Sequence, residues 1–366
     1  MTTASTRRFR PTLFGSVAIA ASLTVALAGC AGGTSGAEGD EAESPATVVE
    51  PIADRPMPTD EQPDETVRIA MLGFSNNPYW VSVQSGAETA NDVLAGYNGE
   101  VDWITAGATI DVQTVNNAIQ AAASQGYDGI GFFIAGEGNC TTVAQLTETG
   151  VSLGAYNTLF DCLVDAGAVI NYAQEQSEAG RMAAEQLIEA TGDQPGKVGI
   201  ITSQFTAPGA EQRRKGFIEG LEGSNLTVIG EGVEARDSAS ETFTAAQNYL
   251  QSTEDLVGIY ATAGGPFGAA EAVAAAGKQD TVKVIGYDLS DENMAALEDG
   301  SMFGAIGQDA FGQGYNVAIE LYNSIVTGDK PTGDAVLVPA DSPFVTKENL
   351  AEHDANTLPL GTLGTS

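Results

Sequence analysis

The chain has 366 residues and a formal net charge of −34, with 49 Asp and Glu against 15 Lys and Arg. So acidic a surface makes nucleic acid and anionic lipid headgroups poor partners. Three cysteines and one histidine, His353, leave no His-Cys-Asp grouping with metal-ligand spacing, and no Walker-type phosphate loop is present, so no cofactor is implied.

Residues 1–29 fall into a basic start (Arg7, Arg8, Arg10), an apolar run over residues 13–27 and a small-residue exit. That is the layout of a secretion signal, because the run is too short and too rich in Ala, Ser and Gly for a membrane span of about 20 apolar residues. Leu27-Ala28-Gly29-Cys30 resembles the bacterial lipobox, whose cysteine sulfur takes a diacylglyceryl group and becomes the mature N-terminus. The resemblance implies lipidation at Cys30 and an extracytoplasmic chain that touches the cell membrane only through that anchor. Arg7 and Arg8 are similar to a twin-arginine export signal, but Phe9 follows them directly, so the export route stays open. Processing removes three arginines and no acids, leaving 12 basic against 49 acidic side chains, a net −37.

Residues 30–65 hold Pro45, Pro51, Pro56, Pro58 and Pro63 and few large apolar groups, so they read as a disordered tether. With lipid on Cys30, Cys140 and Cys162 are left in an oxidising compartment as a disulfide or, alternatively, as two buried thiols. The folded part, about 300 residues, exceeds one compact core and predicts two lobes.

From residue 66 short apolar runs alternate with helix-like segments. The runs cover residues 66–72 (TVRIAML), 128–135 (DGIGFFIA), 150–156 (GVSLGAY), 197–202 (KVGIIT), 256–262 (LVGIYAT) and 282–287 (VKVIGY), with weaker strands at 101–104, 169–172, 226–230 and 303–307. They are continuous, the mark of parallel strands buried on both faces. Asp111 caps a predicted helix with Val112, Val115, Ile119 and Ala122 on one face, and further helices are predicted over 174–191, 208–222, 238–251, 266–276, 290–298 and 311–326. The fold class is therefore α/β, with parallel sheets flanked by helices.

In such sheets a ligand sits beyond the carboxyl ends of the strands. Those ends carry residues 75–80 (SNNPYW), Asn157-Thr158, residues 262–265, Tyr287-Asp288 and Gln308-Asp309, a polar and aromatic set with little catalytic equipment. An Asp288 and Asp309 carboxylate pair is the one acid-base candidate, against the simpler reading of hydrogen-bonded carboxylates, so no enzyme is expected. Aromatic rings with Asn, Asp and Gln suit sugars and polyols, which offer a C–H face and a rim of hydroxyls. Tyr79 and Trp80 are candidate rings, with packing into the lobe as the alternative for either; Asn157, Asp288 and Gln308 are candidate polar partners. Asp288 is also a candidate N-cap for the helix from Ser290.

Five segments together resemble the periplasmic sugar-binding proteins of the ribose and galactose type, which feed ABC importers: Asn76-Asn77-Pro78-Tyr79-Trp80, Arg213-Arg214-Lys215-Gly216-Phe217, residues 272–277, Val284-Ile285-Gly286-Tyr287-Asp288 and Ala305-Ile306-Gly307-Gln308. The resemblance covers residues 66–346. It implies two Rossmann-like lobes, residues 66–171 with 309–334 and residues 172–308 with 335–358, joined by a hinge of three strands crossing near 171–173, 308–309 and 335–338. It also implies ligand contacts at Asn77, Tyr79, Trp80, Asn157, Asp288 and Gln308, a monomer, and an ABC transporter permease as partner. A sensor presenting a sugar or autoinducer to a membrane signalling protein is the alternative role.

Three positions depart from the ribose pattern: Asn157-Thr158 where Asp-Arg is usual, Glu211 in place of an arginine, and Ala263 in place of an asparagine. These departures argue against ribose itself; Glu211 and Ala263, at the changed positions, are weaker candidate contacts, and Arg236 or Asp237 is a candidate replacement contact unless solvated. Adjacent parallel strands would bring the loops bearing Cys140 and Cys162 to one end of a lobe, where a bridge would brace the cleft wall.

Overall fold

A computed structural model describes residue 52 and residues 55–75, 77–107, 109–192, 194–262 and 264–354. The signal, Cys30, the tether up to residue 51, Asn76 and Ala263 lie outside the described residues. In the first half, β1 (Val67–Gly73), α1 (Tyr79–Leu94), β2 (Gly99–Thr105), α2 (Val112–Ser124), β3 (Gly129–Phe133), α3 (Gly138–Thr147), β4 (Ser152–Thr158), α4 (Cys162–Asp165) and β5 (Ile170–Gln174) follow one another. The second half runs α5 (Gln176–Thr191), β6 (Gly196–Thr202), α6 (Pro208–Gly220), β7 (Leu226–Val228), β8 (Val233–Glu234), α7 (Ala239–Ser252), β9 (Leu256–Ala261), α8 (Pro266–Ala275), β10 (Lys283–Tyr287), α9 (Asp291–Asp299) and β11 (Gly304–Ile306). The chain ends with α10 (Ala310–Thr327), β12 (Leu337–Pro339), β13 (Phe344–Val345) and α11 (Leu350–Asp354).

The strands form two sheets, ordered β12-β5-β4-β3-β1-β2 and β13-β11-β10-β9-β6-β7, with β8 beside β6. Every pairing is parallel except β11 with β13. The apolar runs are sandwiched as expected: Ile69, Met71, Ile130, Phe132, Leu153 and Ala155 are buried in the first lobe, and Val198, Ile200, Ile259, Tyr260, Val284 and Ile285 in the second. Helix starts obey local capping. Asp111 Oδ1 accepts the Thr114 N–H at 2.8 Å, and Ser238 and Ser290 cap α7 and α9.

Glycines set how closely the helices approach. A Cβ on Gly314 of α10 would lie 2.0 Å from the Val83 carbonyl oxygen of α1, and one on Gly180 of α5 would lie 2.2 Å from the Arg213 carbonyl oxygen of α6. The second contact fixes where α6 carries its side chains.

The chain passes between the sheets three times, after β5, between β11 and α10, and between β12 and β13. Two of these differ from the sequence reading. β5 continues the first sheet to Gln174, and β12 pairs with β5 in that same sheet, Leu337 opposite Asn171. The third crossing thus falls between Pro339 and Phe344, and residues 337–339, expected in the second lobe, extend the first sheet, because β12 finds an open edge beside β5.

Residues 55–65 also differ from the expected free tether, since they are docked on the first lobe. The Thr59 N–H donates to Asn323 Oδ1 at 2.8 Å, Asn323 Nδ2 donates to the Met57 carbonyl at 3.1 Å, and Asn98 Nδ2 donates to the Pro63 carbonyl at 3.1 Å. Backbone groups of this proline-rich segment find side-chain partners here, and Pro58 is buried against the lobe.

Cys140 lies in the first turn of α3 and Cys162 opens α4, and the two form a disulfide with Cα atoms 6.0 Å apart across a sequence separation of 22. Adjacent β3 and β4 bring them together. In the chain-entropy account such a loop contributes about 3 kcal/mol. Among the described residues, no helix is long and apolar enough to cross a membrane.

Candidate functional site

Strand order reverses between β1 and β3 in the first sheet and between β6 and β9 in the second. The crevice beyond the carboxyl ends at these switch points is where open α/β sheets hold ligands. Both crevices face residues that converge from the two lobes.

On the first lobe, Asn77 Oδ1 accepts the Tyr79 N–H at 3.1 Å and so steadies the start of α1. The Tyr79 hydroxyl accepts from Asn157 Nδ2 at 3.0 Å and donates to Gln313 Oε1 of α10 at 2.5 Å. Burial pushes the Tyr79 phenol far above its usual range, so it stays a neutral donor and acceptor. Trp80 is only 2% exposed, with its ring 5.1 Å from Phe74 and 5.3 Å from Phe133. It packs into the lobe behind Tyr79, the simpler of the two readings open for it. Its buried Nε1 has no hydrogen-bond partner among the described residues.

The second lobe is organised around Arg213, a residue the sequence reading used as a family mark but not as a site residue. It is 4% exposed on α6. Its guanidinium donates to Gln176 Oε1, to the Thr262 carbonyl at 3.0 Å and to Gln308 Oε1 at 2.9 Å, and it lies 3.9 Å from the Tyr287 ring centroid. Gln308 Nε2 in turn donates to Asp288 Oδ1, while the Gln308 carbonyl accepts from Gln313 Nε2 at 2.7 Å. Asp288 is half-buried, and the desolvation of its carboxyl drives it above the usual range; Arg213 and the Gln308 amide pull it back, and Asp237 adds to the rise.

Gln176 and Gln308 tie the two walls together. Gln176 Nε2 donates to the Asn157 carbonyl at 2.5 Å, and Asn157 Nδ2 lies 3.5 Å from Gln308 Oε1. Asn157, Asp288 and Asp309 all have left-handed backbone, with φ of 86°, 73° and 48°. Asn and Asp tolerate this region better than other side-chain-bearing residues, and such positions cluster where ligands are held.

The other candidates separate. Asp288 does not cap α9, because Ser290 does; instead Asn293 Nδ2 holds the carbonyls of Tyr287 and Asp288 at 2.8 and 2.9 Å, fixing the bend that aims the Asp288 carboxylate. Asp309 caps α10 through the Gly312 N–H and pairs with Arg55 and Tyr172, so it forms no carboxylate pair with Asp288. Asp237 joins the second wall: Ser203 Oγ donates to it at 2.8 Å, and burial raises its carboxyl against the pull of Ser203, the Gly264 N–H and Arg213. Arg236 is exposed, 4.0 Å from Glu241, and Glu211 is occupied by Arg214 and Lys215, so both stand outside the network. His353 lies on α11, which packs against α9.

Arg213 carried a readable signal. Ala210, Arg213 and Phe217 recur at helical spacing and are all buried, so Arg213 shares the inward stripe while its neighbours Arg214 and Lys215 turn outward. Gln176 and Gln313 offered no comparable mark.

Comparison with known proteins agrees with this architecture. Residues 69–330 match the family model described as a periplasmic binding protein domain. The D-allose-binding periplasmic protein of Escherichia coli (strain K12) is 26% identical over 245 residues, which are 65% of this chain and 78% of that protein. The ribose import binding protein of Haemophilus influenzae is 26% identical over 278 residues, 73% of this chain and 85% of that protein. A solute-binding protein from Bacillus halodurans with bound myo-inositol superposes with a TM-score of 0.71 at 20% identity, covering 80% of this chain and 99% of that one. Another from Burkholderia graminis, in complex with D-arabinose, gives 0.70 at 19% identity over 79% of this chain and 98% of that one. The structural likeness shows the shared two-lobed fold, and the family match takes in β2 to β11, strands of both sheets; the chain belongs to the periplasmic binding proteins.

Proposed function

We propose that the protein captures a neutral monosaccharide or related polyol between its two lobes and delivers it to the permease of an ABC importer, while anchored to the outer face of the cell membrane through lipid on Cys30. The observation that carries this reading is the polar network of Tyr79, Asn157, Gln308, Asp288 and Arg213, which joins the two walls at the carboxyl ends of their strands. Ring hydroxyls both donate and accept, and this set offers a phenol, two amides and a carboxylate to meet them. Asn77 and Trp80 support Tyr79 from behind. Its relatives bind D-allose and ribose by name, and the solved neighbours hold myo-inositol and D-arabinose.

The charges around the cleft support a neutral ligand. Among the described residues Arg213 is the one cation in the network, already shared among Gln176, Thr262 and Gln308, and it faces the carboxylates of Asp288 and Asp237. A phosphorylated sugar would meet two acids and, among the described residues of the network, no spare base.

A thermal-shift screen over pentoses, hexoses, polyols and their phosphate esters tests the reading. A neutral member at 100 times its dissociation constant should add about 2.7 kcal/mol to the folded state. Phosphate esters should give no shift. A shift with phosphate esters alone would reject the proposal.

A further inference from the structure

Arg55 lies upstream of the family-matched residues, which begin at 69, in a segment whose composition reads as linker. Yet its guanidinium is held in a two-pronged pair with Asp309, Nη2 to Oδ1 at 2.6 Å and Nη1 to Oδ2, and lies 5.5 Å from the Phe311 ring centroid. Side chains of the pair are 18% and 14% exposed. The same carboxylate accepts from the Tyr172 hydroxyl of β5 at 2.5 Å and from the Gly312 N–H of α10 at 3.1 Å. Three segments therefore meet on Asp309: the residues before the fold, strand β5 ahead of the first crossing, and the middle crossing between the sheets.

Asp309 is the neighbour of Gln308, and its left-handed backbone, an uncommon conformation that aspartate tolerates better than most residues, turns its carboxylate away from the cleft toward Arg55 and Tyr172. Gln308 is where Arg213, Asp288 and Asn157 converge. We propose that residues 55–63 form a strap on the first lobe and that Arg55 is a positioning residue for ligand binding, locking Asp309 and thereby presenting Gln308 to the cleft; this rests on the reading of Gln308 as a ligand contact. A bidentate guanidinium–carboxylate pair fixes orientation as well as distance, which a lysine at the same place does not. Anchoring at Thr59, Asn323 and Pro63 sets the strap's path, so that Arg55 meets the hinge with little freedom left to lose.

The test compares the full chain with its Arg55→Ala and Arg55→Lys variants. Hydrogen exchange is followed over residues 308–313 without sugar, and D-allose, D-ribose and myo-inositol are titrated as probes. Arg55→Ala should speed exchange in that segment about tenfold, while β1 and β6 stay as protected as before. Any probe that binds the parent should bind the variant about fivefold more weakly. Arg55→Lys should recover only part of both effects. Unchanged exchange over residues 308–313 in Arg55→Ala, or a rise spread evenly over the whole first lobe, would overturn the strap's positioning role. If no probe binds the parent chain, that outcome counts against the sugar reading, and the exchange result still decides the strap.

Discussion

Replacing Arg213 with alanine should lower stability by about 3–5 kcal/mol, the largest loss of any single substitution at the cleft. The guanidinium is buried and satisfies three acceptors at once, from Gln176, Thr262 and Gln308, while its face covers the Tyr287 ring. Its removal strands those acceptors and leaves Asp288 and Asp237 without the positive charge of Arg213, which opposes their desolvation. For a chain of this size the loss corresponds to a fall of roughly 10 °C in Tm. Arg213→Lys should recover little of it, because a compact ammonium cannot reach three acceptors lying in different directions. Calorimetric unfolding of the three proteins measures this, and a loss below about 1 kcal/mol for Arg213→Ala would mean that the guanidinium is not desolvated in the folded protein.

Asp288→Ala should weaken sugar binding by several hundredfold or more, because a buried carboxylate accepting two hydroxyls contributes about 1.5–3 kcal/mol for each. Stability should move the other way. Burial raises the Asp288 carboxyl, so the folded protein holds this proton more tightly than the unfolded chain does. The group's contribution to stability therefore falls as pH rises from the unfolded value through the folded one, and above that window it is a standing cost. Asp288→Asn removes this cost and should leave the ligand-free protein at least as stable at neutral pH, while binding stays impaired. Ligand hydroxyls need the ionised acceptor, so affinity in the parent should decline on acidification at a higher pH than an ordinary carboxyl would dictate. The Asn variant should flatten that decline but not abolish it, since the Asp237 carboxyl is raised as well. A titration series at several pH values reads both effects. Parent-like affinity in Asp288→Ala would remove this carboxylate from the site.

Most of the fold could be read from local pattern because its strands are sandwiched. An unbroken apolar run such as residues 282–287 has few other uses, and a cap such as Asp111, Ser238 or Ser290 marks a helix start within a residue. Helices α3 and α4 escaped because they are short, and α3 has no sharp apolar stripe; the loops expected around Cys140 and Cys162 are instead a ten-residue helix and a single turn, braced by the disulfide and the neighbouring strands. The strap escaped for the opposite reason. Its prolines and polar residues are what a linker has, and it docks through single backbone hydrogen bonds and one ion pair, which periodicity does not report. Likewise β12 is three residues long, and only its partner β5 decides which sheet receives it.

For the cleft, sequence position beyond a strand end brought Tyr79, Asn157, Gln308 and Asp288 together, and in the structure they form one hydrogen-bonded chain. The same rule chose Asp309 and Trp80, which serve the hinge and the first-lobe core. Position along a strand shows which residues reach the crevice but not which way each side chain turns, and the left-handed backbone at Asp288 and Asp309 sends neighbouring side chains to different tasks. Arg213 arrives from a helix, outside that rule altogether.

The most direct test of the central claim is a calorimetric titration of the full chain with the neutral sugar or polyol that gives the largest thermal shift, repeated with Asp288→Ala. The account predicts saturable binding of one ligand per chain in the parent, with negative heat-capacity change from surface buried as the lobes close, and no measurable heat of binding in the variant. Equal binding in both proteins, or binding confined to anionic ligands, would contradict it.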